Sequence, residues 1–176
     1  MNEKILKQCS RNNRIAQRKL YDVYYPKLHF VCKRYLTSPE DIEEVLADSF
    51  YHILSKISQL KEWKAFDAWS RKITVNQCLN FLRTKYTPVI SMEDYTRRLV
   101  HPLQDFPYNE QELLHLMETL PPGSKTIFNL YAIEGYSHKE IAAQLGISEG
   151  TSKSQLNFAK KKLQKLVHQF YFSKTF

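Results

Sequence analysis

A chain of 176 residues can hold one domain or two small ones, and a 43% share of hydrophobic residues excludes a disordered polypeptide. No run of about 18 apolar residues occurs, which excludes a membrane-spanning helix. The charged start from Met1 to Lys7 lacks the apolar centre of a secretion signal, so the chain is expected to stay in the cytoplasm. The net charge of +8 is unevenly spread: residues 1–86 hold 16 Lys/Arg against 9 Asp/Glu, residues 87–119 hold 2 against 6, and residues 120–176 hold 8 against 3. Two basic blocks around an acidic stretch predict two surfaces that meet polyanion, joined by a segment that does not. Cys9, Cys32 and Cys78 are far apart, with no metal-ligand spacing, and are read as reduced, buried thiols.

The chain reads as helix nearly throughout, apart from a short β-like run at Pro88–Met92 between breakers. From Ile15 to Leu36, Leu20, Val23, Tyr24, Leu28, Val31, Cys32, Tyr35 and Leu36 recur at helical spacing, with a bend or restart expected at Pro26. Ser38 is then a good N-cap, Pro39 suits the first helical position, and the acids that follow fill the positive end of the dipole. The helix they open carries Ile42, Val45, Leu46, Ser49, Phe50, Ile53, Leu54 and Ile57 on one side. Another helix is predicted from Phe66 to Lys85 with Trp69, Ile73, Leu79 and Leu82 as its spine. Residues 87–110 contain Pro88, Pro102 and Pro107, lose the helical period and reverse the charge; they read as a flexible acidic linker. The fold expected is all-α, with helical domains at 5–86 and 111–170.

The most specific local pattern runs from Tyr136 to Thr151. Ser137 and Glu140 form a capping box, Ile141, Ala142 and Leu145 give the apolar face of a short helix, and Gly146 supplies a left-handed stop. Ile147 plugs the turn and Ser148 caps a second helix with Thr151, Leu156, Ala159 and Leu163 facing inward. This is a helix-turn-helix. Its outward face offers Lys153, Ser154, Gln155, Asn157, Lys160, Lys161 and Lys162: amides for base edges, then lysines for phosphates.

Two stretches of the N-terminal half carry a family resemblance. Asp41-Ile42-Glu43-Glu44-Val45-Leu46-Ala47-Asp48-Ser49-Phe50 resembles the region 2.2 helix of bacterial sigma factors. Phe66-Asp67-Ala68-Trp69-Ser70-Arg71-Lys72-Ile73-Thr74-Val75-Asn76, continuing to Leu82-Arg83, resembles their regions 2.3 and 2.4. Leu120-Pro121-Pro122, Phe128 and the helix-turn-helix resemble region 4. With only these two domains, the chain is similar to the extracytoplasmic-function (ECF) sigma factors of RNA polymerase.

The resemblance implies a subunit that binds core polymerase, recognises −35 and −10 promoter elements and initiates transcription, with no catalytic residue, metal or cofactor of its own. Asp41, Glu43, Glu44 and Asp48 would meet the β′ coiled coil, with Phe50 in the core; Ala47 departs from the family's usual Gln. Lys61, Trp63, Lys64, Arg71, Lys72, Asn76 and Arg83 would bind the −10 element as single strand, where an aromatic surface stacks bases at roughly 1–3 kcal/mol each. Lys85 could also line the strand path, while Trp69 reads as core beside Phe66 and Ile73. Thr151, Lys153, Ser154, Gln155, Asn157, Phe158 and Lys160 would meet the −35 duplex. Ser152 stands where the family usually has Val, which would loosen the helix seam, and Gln155 where Arg is common. The β flap and an anti-sigma factor complete the implied partners. A conventional helix-turn-helix regulator, dimeric on a palindrome, is the alternative; it explains the C-terminal half but not the loop at Trp63 or Asn76. An enzyme is disfavoured, since the six histidines show no metal spacing and no phosphate-binding Gly motif occurs.

Overall fold

The computed structural model describes residues 2–85 and 110–172, and among them there is helix and no strand. The β-like run at Pro88–Met92, the linker and the last four residues lie outside the described residues. The chain divides into two compact units, Met1–Thr87 and Pro88–Phe176.

The first unit begins with α1 (Glu3–Cys9), capped by the Asn2 side chain, which accepts from the Lys4 amide at 3.1 Å. The turn to α2 (Arg14–Lys33) places Asn12 at φ 59°, a left-handed conformation that asparagine tolerates better than most residues. Asn13 then caps α2 through the Ala16 amide at 3.0 Å. The helix does not restart at Pro26: α2 is one helix through it. Pro26 is exposed, so the hydrogen bond it cannot make is lost on the solvent side of α2, where it costs least. Val23, assigned above to the apolar stripe, is 46% exposed, because the buried line runs through Leu20, Tyr24, Leu28 and Val31 instead.

Helix α3 (Pro39–Lys56) has the predicted start: Ser38 Oγ accepts from the Asp41 amide at 3.3 Å and Pro39 takes the first position. Ile42, Val45, Leu46, Phe50 and Ile53 are buried on its inner face. Two 3₁₀ turns follow, Ile57–Gln59 and Trp63–Ala65, and the second runs directly into α4 (Phe66–Lys85). The expected spine of α4 is corrected. Its buried face is Phe66, Ser70, Thr74, Val75 and Cys78, whereas Trp69, Ile73, Leu79 and Leu82 are only half-buried. Small side chains let α4 lie close against α2 and α3, and the Ser70 and Thr74 hydroxyls avoid a desolvation cost by donating to the Asp67 and Ser70 carbonyls, each at 3.1 Å. Cys32 and Cys78 meet in this core with sulfurs 3.9 Å apart, and Cys9 is buried too. The Cys32 contact, then burial, push the Cys78 thiol well above its ordinary pKa.

The second unit contains α5 (Glu110–Glu118), α6 (Pro122–Phe128), a wide π turn at Asn129–Ile133, α7 (His138–Leu145) and α8 (Glu149–Phe172). Helices α6 and α7 both pack on α8. Leu120, Ala159 and Leu163 form one buried cluster flanked by Leu116 and Phe128, while Ile127, Leu130, Ile141 and Leu156 are also buried. Each large aliphatic side chain so buried contributes roughly 1.5–3 kcal/mol.

Candidate nucleic-acid and polymerase interfaces

The turn between α7 and α8 is built as its sequence dictates. Glu140 Oε2 accepts from the Ser137 amide at 2.8 Å, and Ser137 Oγ accepts from the Glu140 amide at 3.3 Å, closing the capping box. Gly146 ends α7 at φ 67°, and the Ile147 amide donates back to the Ala142 carbonyl at 3.1 Å. Ser148 Oγ accepts from the Thr151 amide at 2.9 Å and starts α8.

From there α8 has two distinct sides. Ser152, Leu156, Ala159 and Leu163 are buried at helical spacing. Lys153, Ser154, Asn157, Phe158 and Lys160 are exposed, Phe158 by 45%. Thr151 and Gln155 sit half-buried between the two faces. The Gln155 side-chain oxygen accepts from the Ser124 hydroxyl of α6, so this amide is held by its own unit. Ser152 sits inside the seam with a partner of its own. It is fully buried, and its hydroxyl lies 2.9 Å from Nδ1 of His138 on α7. The His138 ring in turn stacks on Tyr131, with centroids 4.6 Å apart, and Lys160 Nζ lies 5.5 Å from the Tyr131 centroid. Sequence reasoning missed this chain of contacts; the signal was a serine in an otherwise apolar register.

In the first unit the residues assigned to single-stranded DNA fall on the second 3₁₀ turn, the residues around it, and α4. Lys61 and Lys64 are exposed and Trp63 is half-buried. Along α4, Lys72 and Arg83 are exposed, Asn76 and Arg71 half-buried, and Arg83 donates to the Asn80 side-chain oxygen at 2.9 Å. Lys72, Asn76 and Arg83 recur at spacings that put them on one side of the helix, beside the half-buried Trp69 and Ile73. The result is a strip that mixes cations, amides and aromatic edges.

The acidic residues of α3 separate into two groups. Glu43, Glu44 and Asp48 are exposed on the outer face. Asp41 is not with them: it is 5% exposed, and its carboxylate accepts from the ammonium of Lys85 at the end of α4. Lys85 Nζ also lies 5.0 Å from the Phe81 ring centroid, so the −10 strand path proposed for it competes with a role inside the unit. Glu43 accepts from the Tyr25 hydroxyl at 2.6 Å, and that bond pushes the Tyr25 pKa up to about 12. Tyr51, 70% exposed, continues the outer face of α3.

Comparison with known proteins matches these two units to two segments of one family. Residues 20–87 match the model of sigma-70 region 2, and residues 110–163 that of sigma-70 region 4. An ECF RNA polymerase sigma factor SigM of Mycobacterium tuberculosis (strain Erdman) is 25% identical over 170 residues, covering 94% of this chain and 84% of its own. The ECF RNA polymerase sigma-E factor of Haemophilus influenzae is 24% identical over 174 residues, covering 91% and 92%. Among solved structures, CnrH in complex with the cytosolic domain of CnrY superimposes with a TM-score of 0.51 at 21% identity, over 93% of this chain and 94% of that one. RpoE of Bartonella quintana in complex with the anti-sigma factor NepR gives 0.51 at 20% identity, over 85% and 95%. Two helical modules in this order define a transcription-initiation factor that reads promoter DNA. The chain belongs to the sigma-70 family, in its extracytoplasmic-function branch. Among the described residues no helix is long and apolar enough to cross a membrane.

Proposed function

We propose that this ECF sigma factor divides its work among three faces. The exposed acids Glu43, Glu44 and Asp48 of α3 dock on a basic surface of core RNA polymerase, the β′ coiled coil, while the second unit meets the β flap. The strip of Lys61, Trp63, Lys64, Arg71, Lys72, Asn76 and Arg83 receives the −10 element as single strand, bases on the aromatic edge and phosphates on the cations. The first turns of α8 enter the −35 major groove with Lys153, Ser154, Asn157, Phe158 and Lys160 foremost, and Thr151 and Gln155 at the margin. Residues 5–86 thus serve polymerase binding and melting, 87–110 link, and 111–170 read duplex. The protein acts in the cytoplasm as a non-catalytic subunit without cofactor, and an anti-sigma factor is its proposed regulator, as with the CnrY and NepR complexes of its structural neighbours.

The observation that carries this reading is the split of α8, with four buried residues at helical spacing and a polar, cationic face left outside. The test is capture of purified bacterial core polymerase by this protein, followed by transcription of genomic fragments with and without it. Core binding with new, discrete start sites is the expected result. Tight binding to duplex DNA as a dimer, with no core binding, would replace the reading with a conventional helix-turn-helix regulator.

A further inference from the structure

Much of the net positive charge of the first unit lies outside the proposed −10 strip. Residues 1–36 hold nine Lys/Arg and two Asp/Glu, whereas residues 37–86, which include the whole strip, hold seven of each. The excess begins on α1, ahead of the segment that matches sigma-70 region 2 at residues 20–87. On α1, Leu6 and Cys9 are buried, and the opposite side presents Lys4, Lys7 and Gln8 at three- and four-residue spacing as one stripe, which Arg11 extends from the turn that leads to α2. All four are exposed, and with Asn2 and Glu3 they line an open surface depression. Glu3 offsets Lys7 at 2.6 Å; no carboxylate within salt-bridge distance faces Lys4 or Arg11 among the described residues. Helix α1 packs against both 3₁₀ turns, so its exposed side lies within one helix diameter, roughly 10 Å, of the loop that carries Lys61, Trp63 and Lys64.

From this placement we infer that α1 is an additional DNA-backbone clamp: Lys4, Lys7 and Arg11 hold promoter phosphates next to the segment received by the Trp63 loop. The inference rests on the sigma-factor reading. Exposed lysines and an arginine beside an open depression suit phosphates, which need charge and little geometry, and they carry no sequence information. The stripe adds affinity and helps hold the melted strand, leaving base choice to the loop and α8.

The test compares holoenzymes made with the wild-type full chain and with a K4Q/K7Q/R11Q variant. The probe is a fluorescent promoter fragment, selected by the wild-type holoenzyme, that carries a pre-melted −10 bubble. Neutralising between two and three effective charges should lower the slope of log affinity against log salt by about 2, and weaken binding on the order of 10-fold near 0.1 M salt. Core assembly and thermal stability should be unchanged, and a K4R/K7R/R11K variant should keep the wild-type slope. An unchanged slope in an active variant holoenzyme overturns the clamp alone. Weakened core assembly, with unchanged DNA affinity of the holoenzyme formed at saturating core, assigns the stripe to an acidic protein surface and overturns it equally. A wild-type protein that selects no promoter at all removes the sigma-factor reading, and the clamp with it.

Discussion

At the crossing of α7 and α8, Ser152 occupies a place that an apolar side chain could fill by packing alone. A buried hydroxyl there is tolerated because the His138 imidazole is its partner at 2.9 Å, and because that ring is held against Tyr131. Ser152→Ala and His138→Ala should each lower stability by about 1 kcal/mol, with the double variant costing less than the sum of the two, as read by denaturant melts. Additive losses would mean that the contact carries no coupling energy. The same logic separates Gln155 from Asn157. The Gln155 amide is tied to Ser124, whereas Asn157 is exposed. Asn157→Ala should relax preference at one base position of the −35 element by about 1–3 kcal/mol, measured on a randomised promoter set. Gln155→Ala should instead weaken every sequence alike, since it disturbs the seating of α8. Lys153→Gln should also act on all sequences, and should lower the salt slope by about 1.

At the scale of the helix, the contrast within α3 is the informative one. Asp41 and Glu43 are two residues apart, which in a helix points them in different directions. One carboxylate is buried on Lys85 and the other stands at the surface. Asp41→Asn should lower the melting stability of the first unit by about 1–3 kcal/mol while leaving polymerase affinity near wild type once folded, because it removes a largely buried charged hydrogen bond. Reversal of the exposed acids, Glu43→Lys with Glu44→Lys and Asp48→Lys, should do the opposite: roughly tenfold or greater loss of core binding at low salt with little change in melting. Calorimetry and a core-capture titration on the same preparations distinguish them. Much of this architecture was legible in the sequence. Ser38-Pro39, the Ser137/Glu140 box and Gly146 each specify a backbone conformation through local chemistry, so the start of α3 and both ends of α7 could be read directly. The inner face of α4 could not be read in this way. Periodicity weights large apolar residues, and here the close-packed side is Ser70, Thr74 and Cys78, whose burial depends on how near α2 and α3 approach. Asp41 was misplaced among the surface acids for a similar reason, since its partner lies 44 residues away in sequence. The positions of the candidate DNA residues were legible as a cluster on the second 3₁₀ turn and α4, but the commitment of Gln155 to Ser124 required the fold.

For the whole molecule, the distribution of charge sets a task for the segment between the two units. Residues 87–110 carry two basic and four acidic side chains, against basic segments on either side. A neutral or basic connector of the same length would join the two modules equally well, so the acidic sign calls for a separate explanation. An acidic chain disfavours DNA in its immediate neighbourhood, by like-charge repulsion that acts over about 10 Å at 0.1 M salt. Lying in the polymerase channel that template DNA later takes, such a segment would keep that channel free of non-productive DNA until the melted strand arrives. On this reading the length of the connector would govern whether both promoter elements are reached together, and its charge what else can occupy its path. Replacing Glu93, Asp94 and Asp105 with Gln or Asn, with the span unchanged, should therefore leave core binding and duplex −35 affinity intact. The same variant should reduce the yield of full-length transcripts several-fold, in single-round assays on a promoter selected by the wild-type protein. Equal loss of core binding and transcription would mean that the acids contact polymerase directly. No loss of either would reduce the segment to a tether whose charge has no part in initiation.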